Sequence, residues 1–358
     1  MKSWTWAVIG AGAMALASGT SCAEEPAQSS GTVVLDGVAV PLSDLMSPQA
    51  RAYVRDLIVR HPFAGGAAAA DDIKGYRAHQ DDIMRGFLGP MRARYKVLVT
   101  DDTLAGVPVQ VVTPADGIAP ENRHRVLINL HGGGFVSGAR TASLVESVPL
   151  AALMRIKVIS IDYRMAPEYR FPAASEDVAR VYERLLKVYD ASRIALYGCS
   201  AGGMLTAESM AWFQSHGLPR PAAAGVFCAP LGKLVQGDSG YLARPLTFGV
   251  AAASPRSDGE RAIAGYLDNV ADDDPLAYPV VSQSVLAKFP PTLFISGTRS
   301  MEFSAVLNSH NALNRAGVDT SFFGWDGMFH GFFYNSELPE SREAYRIMVE
   351  FFEKHLAR

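Results

Sequence analysis

The chain has 358 residues, 49% of them apolar and 19% charged, with a formal net charge of −3 at pH 7. That apolar share excludes a disordered polymer, and without a basic stripe nucleic acid is not an expected partner. Cys22, Cys199 and Cys228 are too few for a disulfide framework, and no metal-type Cys/His spacing occurs, so no metal or organic cofactor is expected. The first 23 residues carry one early charge, Lys2, an apolar stretch from Trp4 to Ala17 and small residues after it. This is the layout of a secretory signal peptide with cleavage after Ala23, and it predicts an exported protein, periplasmic or secreted. Lipidation of Cys22 is the alternative; against it, Gly19 stands where lipoprotein signals usually carry Leu. Gly10 to Ala15 fits a dinucleotide fingerprint, but residues 18–31 are small and polar where an amphipathic helix would be required, so that reading is rejected. No later apolar run is long enough to span a bilayer.

Residues 24–94 read as a linker followed by a helical segment suited to a cap. Pro48 to Arg60 carries Tyr53, Leu57 and Ile58 at helical spacing, residues 62–70 form a Gly/Ala-rich break, and Asp71 to Phe87 fits a second helix. From residue 95 the pattern changes. Tyr95 to Val99 and Val107 to Val112 read as a hairpin turning at Gly106. Arg125 to Leu130 and Lys157 to Ile161 are short apolar runs that suit strands buried on both faces. Helices are expected over Leu144 to Met154 and over Glu176 to Tyr189, the latter with Val178, Val181, Tyr182, Leu185 and Tyr189 on one face. Strand and helix in alternation predict an α/β fold with the sheet between helical layers. Arg193 to Tyr197 and Gly225 to Cys228 continue the strands, and Thr292 to Ser296 and Thr320 to Trp325 complete them. The alternation fails at about 232–288, read as an insertion over the site within a catalytic domain spanning 95–358. Helices over Ser304 to Ala316 and Glu340 to Leu356 fill the C-terminal part.

Three stretches carry chemistry. Gly198-Cys199-Ser200-Ala201-Gly202, between a strand and a helix, reads as a nucleophile elbow. The helix start behind Ser200 makes the Ala201 amide a candidate oxyanion donor. His131-Gly132-Gly133-Gly134 follows a strand and exposes backbone amides, Gly132 and Gly133 among them, that can serve the same oxyanion. His330, in the loop after the last strand, is the candidate general base.

With these blocks in place, the chain resembles the bacterial hormone-sensitive-lipase-like esterases of the α/β-hydrolase superfamily. The match includes the H-G-G-G run, Asp162-Tyr163-Arg164-Met165-Ala166-Pro167-Glu168 with Phe171-Pro172-Ala173-Ala174 after it, and Gly198 to Gly203. The resemblance implies an eight-stranded, mostly parallel sheet with flanking helices and a helical cap. It also implies hydrolysis of short to medium acyl esters by a serine and a small-molecule ester as partner, and it leaves a homodimer open. Asp162 and Glu168 are read as structural anchors. The chain departs from the family twice. Cys199 replaces the usual acidic residue before the serine; it is read as inert packing, with pairing to Cys228 as the alternative. Ser300 stands where the family carries its catalytic acid, and Glu302, two residues on, is assigned the orienting role. The missing aspartate keeps open a catalytically impaired, ligand-binding role, and amidase or lactonase chemistry would use the same machinery. Phe248, Tyr266 and Phe332 are candidates for lining an acyl pocket, or for core.

Overall fold

The computed structural model describes residues 33–35, 38–60, 72–248 and 265–357. The expected signal peptide and the break at 62–70 lie outside these residues. A small antiparallel pair, Val33–Leu35 (β1) and Val38–Val40 (β2), precedes helices Pro48–Arg60 (α1) and Ile73–Arg94 (α2). The second helix runs past its expected end at Phe87 because Met91, fully buried, anchors its last turns and the helix packs on the one that follows β5. The hairpin is present as Val97–Leu104 (β3) and Val107–Pro114 (β4), joined through the positive-φ pair Ala105 and Gly106.

The alternation then runs Val126–Leu130 (β5), Ala142–Leu153 (α3), Lys157–Ile161 (β6), Ala173–Leu186 (α4), Ile194–Cys199 (β7), Ala201–Ser215 (α5) and Ala223–Phe227 (β8). After the inserted stretch, which contains Asp238–Phe248 (α6), come Thr292–Gly297 (β9), Phe303–Arg315 (α7), Thr320–Trp325 (β10) and Pro339–His355 (α8). The eight strands from β3 onward form one sheet in the order β10-β9-β8-β7-β5-β6-β4-β3. Only β4 with β3 and β4 with β6 pair antiparallel; the other pairs are parallel. This is an α/β-hydrolase fold.

The residue pattern explains the layers. Along β5, Val126, Ile128 and Leu130 enter the core shared with α4 and α5, while Leu127 enters the opposite core with α3 and α8, as the two-residue strand period requires. Both faces are covered, so β5, β7 and β8 are buried throughout. Helix α4 places Val178, Val181, Tyr182 and Leu185 inward. It ends at Leu186 rather than Tyr189, and Tyr189 is only partly buried, packing against the core's edge. Helix α5 is buried on almost every side, which is why its sequence shows no amphipathic period. Helix α6 meets α1 from the N-terminal segment and α7 behind β9. Among the described residues no helix is long and apolar enough to cross a membrane.

Candidate active site

Ser200 is the single residue between β7 and α5, and its backbone is held at φ 58°, ψ −126°. Such a conformation is strained for a residue with a side chain, and packing enforces it. A Cβ on Gly198 would lie 2.1 Å from the Leu130 carbonyl oxygen, and one on Gly202 would lie 1.8 Å from the same atom. The end of β5 presses against the turn from below, so both flanking positions must be glycine. The Ser200 amide donates to Phe227 O at 2.8 Å, tying the elbow to β8. The hydroxyl does not cap α5 and is left for other partners.

The H-G-G-G loop leaves β5 beside the elbow. Gly133 and Gly134 take φ values of 119° and 64°, and a Cβ on Gly133 would stand 2.2 Å from Ser137 O, so no larger residue fits there. His131 is neutral scaffold. It is fully buried, its ring stacks on Tyr163 at 4.3 Å, its Nδ1 bonds Gly132 O at 2.9 Å, and burial pushes its pKa down to about 4.

The expectation for Gly132 needs correction. Its amide donates at 2.9 Å to Glu146 Oε1 and is committed to that carboxylate rather than free for an oxyanion. The amides of Gly133, Gly134 and Ala201 donate to no acceptor among the described residues. Gly134 therefore joins Gly133 and Ala201 as a candidate donor in place of Gly132.

Glu146 was not singled out in the sequence, and it is the most connected group at the site. It lies on α3 with almost no exposed surface. Oε1 accepts from Gly132 N and, at 2.6 Å, from Tyr334 OH. Oε2 accepts from Asn129 Nδ2 at 2.9 Å and Cys199 N at 3.3 Å. One carboxylate thus joins the H-G-G-G loop, the elbow and the turn after His330. Burial pushes its pKa up to about 7, against these four hydrogen bonds, which favour the charged form. The available signal was an isolated acid in an otherwise apolar helix.

His330 follows β10. Its loop is seated on the turn after β9: Arg299 N donates to Met328 O at 2.8 Å, and Gly327 N donates to Thr298 Oγ1 at 2.8 Å. A Cβ on Gly297 would stand 2.2 Å from Met328 O, so this approach also depends on a glycine. The result is that Glu302 Oε2 lies 3.0 Å from His330 Nδ1. The Glu302 side chain has no exposed surface, and its Oε1 accepts from Ser296 Oγ at 3.1 Å. Ser300 Oγ, at the position of the family's acid, is buried without a hydrogen-bond partner. Burial opposes a charged His330, but the charge and hydrogen bond of Glu302 prevail and push its pKa up to about 9.

Cys199 and Cys228 are both buried free thiols, and burial raises the Cys199 pKa well above the ordinary thiol value. Glu168 is gripped by Arg77 at 2.7 Å and Asp162 meets Arg140 at 3.1 Å; both pairings are structural. Tyr266 is core, stacked on Phe135 with ring centroids 4.4 Å apart, and Phe332 is buried as well. The Phe248 side chain lies outside the described ones.

Comparison with known proteins places the chain in a family. A family model described as the alpha/beta hydrolase fold matches residues 127–334. An acetyl-hydrolase of Streptomyces hygroscopicus is 31% identical over 252 residues, 68% of this chain and 82% of that protein. The crystal structure of an esterase, E25, superposes with a TM-score of 0.77 at 27% identity, covering 90% of this chain and 99% of that one. An esterase from the bacterial hormone-sensitive lipase family gives 0.73 at 28% identity, over 87% and 99%. The chain belongs to the α/β-hydrolase family and, within it, is an ester hydrolase of the hormone-sensitive-lipase-like group.

Proposed function

We propose that the chain is a serine carboxylesterase acting on short to medium acyl esters through Ser200, His330 and Glu302. The observation that carries this reading is the 3.0 Å contact between Glu302 and His330 Nδ1, together with the strained elbow at Ser200. With Nδ1–H donating to the carboxylate, the Nε2 lone pair is available as a base. It takes the Ser200 proton as Oγ attacks the ester carbonyl. The amides of Gly133, Gly134 and Ala201 receive the developing oxyanion, and His330 returns the proton to the leaving alcohol. Water then repeats the attack on the acyl-enzyme and frees the acid. The carboxylate beside His330 supports turnover over the impaired, ligand-binding reading, which rested on the serine at 300. Helix α6, with α1 and α2, forms the cap in this proposal. The acetyl-hydrolase name of the Streptomyces relative favours the short end of the acyl range over amides or lactones.

The test is a fluorophosphonate label located by peptide mapping, with p-nitrophenyl esters of increasing chain length. Labelling at Ser200, lost in Ser200→Ala, with turnover falling as the chain lengthens, is expected. An unlabelled, inactive folded protein overturns the assignment. Export rests on the first 23 residues, and a secreted or periplasmic product whose chain begins at Glu24 is the expected outcome. A homodimer rests on the resemblance alone, and light scattering decides it.

A further inference from the structure

Cys228 follows β8, Glu302 follows β9 and His330 follows β10. Three neighbouring parallel strands thus deliver a thiol, a carboxylate and an imidazole to one end of the sheet. One donor atom from each lies within 4.8 Å of the others, and no other such group occurs among the described residues. Sequence spacing gave no hint, because the ligands come from separate crossovers. We propose that Cys228, Glu302 and His330 form a site for a borderline-soft divalent cation, Zn²⁺ or Cd²⁺, whose occupancy shuts off the esterase. The inhibitory half rests on the function proposed above; the binding half does not.

The donor chemistry suits such a cation. Sulfur, nitrogen and oxygen are zinc's usual ligands, and tetrahedral coordination sets ligand atoms about 3.4 to 3.6 Å apart. The Glu302–His330 edge is already 3.0 Å, and with every donor pair within 4.8 Å, closure needs a shift of no more than about 1.4 Å along the thiol edges. Binding releases the Cys228 thiol proton to solvent; the thiolate and the carboxylate together balance the two positive charges. The Gly331 amide, 3.3 Å from Cys228 Sγ, continues to donate to the thiolate. Cys228 and Glu302 are buried, while His330 keeps 31% of its side chain exposed and so provides the entry side. A neutral imidazole has one nitrogen lone pair. Whichever ring nitrogen binds the cation, that pair is consumed, and no base remains for Ser200.

The experiment uses the whole protein under a phosphine reductant, which keeps Cys199 and Cys228 from pairing with each other. Cd²⁺ is titrated and the ultraviolet cadmium–thiolate charge-transfer band recorded; separately, ester turnover is followed against ZnCl₂. The wild type is expected to show the band and to lose turnover, with EDTA restoring it. Cys228→Ser, checked for folding by its thermal midpoint, is expected to lose the band and to need about a hundredfold more zinc for the same inhibition. Cys199→Ser is expected to keep the band, and it carries the test if Cys228→Ser does not fold. No band in the wild type, a band lost in Cys199→Ser, or equal zinc sensitivity in folded Cys228→Ser overturns the proposal. A protein with the band but without turnover on any ester would refute the esterase assignment and leave the cation site standing.

Discussion

Glu302, itself fully buried, reaches the part-exposed His330, Oε2 to Nδ1 at 3.0 Å, from a position one residue ahead of helix α7. The helix start favours a negative charge there, and Ser296 Oγ holds the other carboxylate oxygen. A glutamate two residues beyond the usual aspartate position can therefore meet the imidazole. Glu302→Gln keeps the shape but removes the charge that, in the proposed mechanism, stabilises the imidazolium. The turnover number is expected to fall by about 10⁴, the scale of the aspartate-to-asparagine change in a serine protease triad, with KM little changed. Steady-state kinetics with an intact thermal midpoint check it; an unchanged turnover number removes Glu302 from the mechanism.

The same pair fixes a pH response. In the proposed mechanism His330 must be neutral to act as base, and Glu302 pushes its pKa up to about 9. The rising limb of kcat/KM is expected above the ordinary histidine range, toward about 9. In Glu302→Gln the two largest raising causes are lost while burial, the largest cause of all, still lowers the pKa against the smaller pull of Cys228 and Glu146, so the limb should move down toward the ordinary value of 6.5 or below it. Stability follows with the opposite sense. A histidine whose folded pKa is raised stabilises fully below its unfolded value, and that contribution disappears as pH rises through the folded one. Wild type should therefore lose stability relative to Glu302→Gln between about pH 6.5 and 9. Chemical denaturation of both proteins across that window measures the difference.

Local chemistry made much of this legible. The buried parallel strands and the amphipathic α4 follow from period and run length, and the tight turn at Ser200 from glycine placement. The acid partner and the oxyanion donors did not follow in the same way. The sequence alone does not bring Glu302 to His330, because that approach depends on the turn after β9 donating its Arg299 amide to the Met328 carbonyl beside Gly297, a contact between distant segments. Gly132 was a reasonable donor on sequence, and it fails because Glu146, on the following helix, takes its amide. Helix α2 exceeds the span its sequence predicts for a related reason: tertiary packing of Met91 outweighs the glycines and proline near it.

The elbow glycines make a stability prediction separate from the chemistry. A Cβ at Gly202 would sit 1.8 Å from Leu130 O, within a backbone that cannot rotate aside. Gly202→Ala must shift β5 or open the turn, at an expected cost of about 3 kcal/mol or more. Gly217, past the end of α5, has open space around its absent Cβ but a φ of 68°, so Gly217→Ala should cost only about 1 kcal/mol from backbone strain. Urea midpoints of the two variants compare them, and a Gly202→Ala protein as stable as Gly217→Ala would contradict the packing account.

Glu146 offers the last test, because its four hydrogen bonds act on three loops at once. In Glu146→Gln one terminal atom becomes a donor. It must then face either the pair Gly132 N and Tyr334 OH or the pair Asn129 Nδ2 and Cys199 N, all of which donate to the carboxylate now. Two buried donors lose their acceptor, at about 1 to 3 kcal/mol each. If the amide turns its nitrogen toward Gly132, the H-G-G-G loop loses its anchor and the Gly133 and Gly134 amides lose their aim. Oxyanion stabilisation is then expected to weaken, lowering kcat by about ten- to a hundredfold with KM nearly constant. Tyr334→Phe removes one of the same bonds while leaving the carboxylate, so its loss should be smaller and should not add to that of Glu146→Gln. The pH dependence separates positioning from bulk packing. Burial pushes Glu146 up to about 7, so the fold holds this proton more tightly than the unfolded chain does, and stability falls as pH rises from about 4.5 toward 7. Glutamine does not titrate, and that segment of the stability curve should flatten in the variant while the segment belonging to His330 persists. A variant with wild-type kcat and an unchanged curve would show that the carboxylate orders nothing the reaction needs.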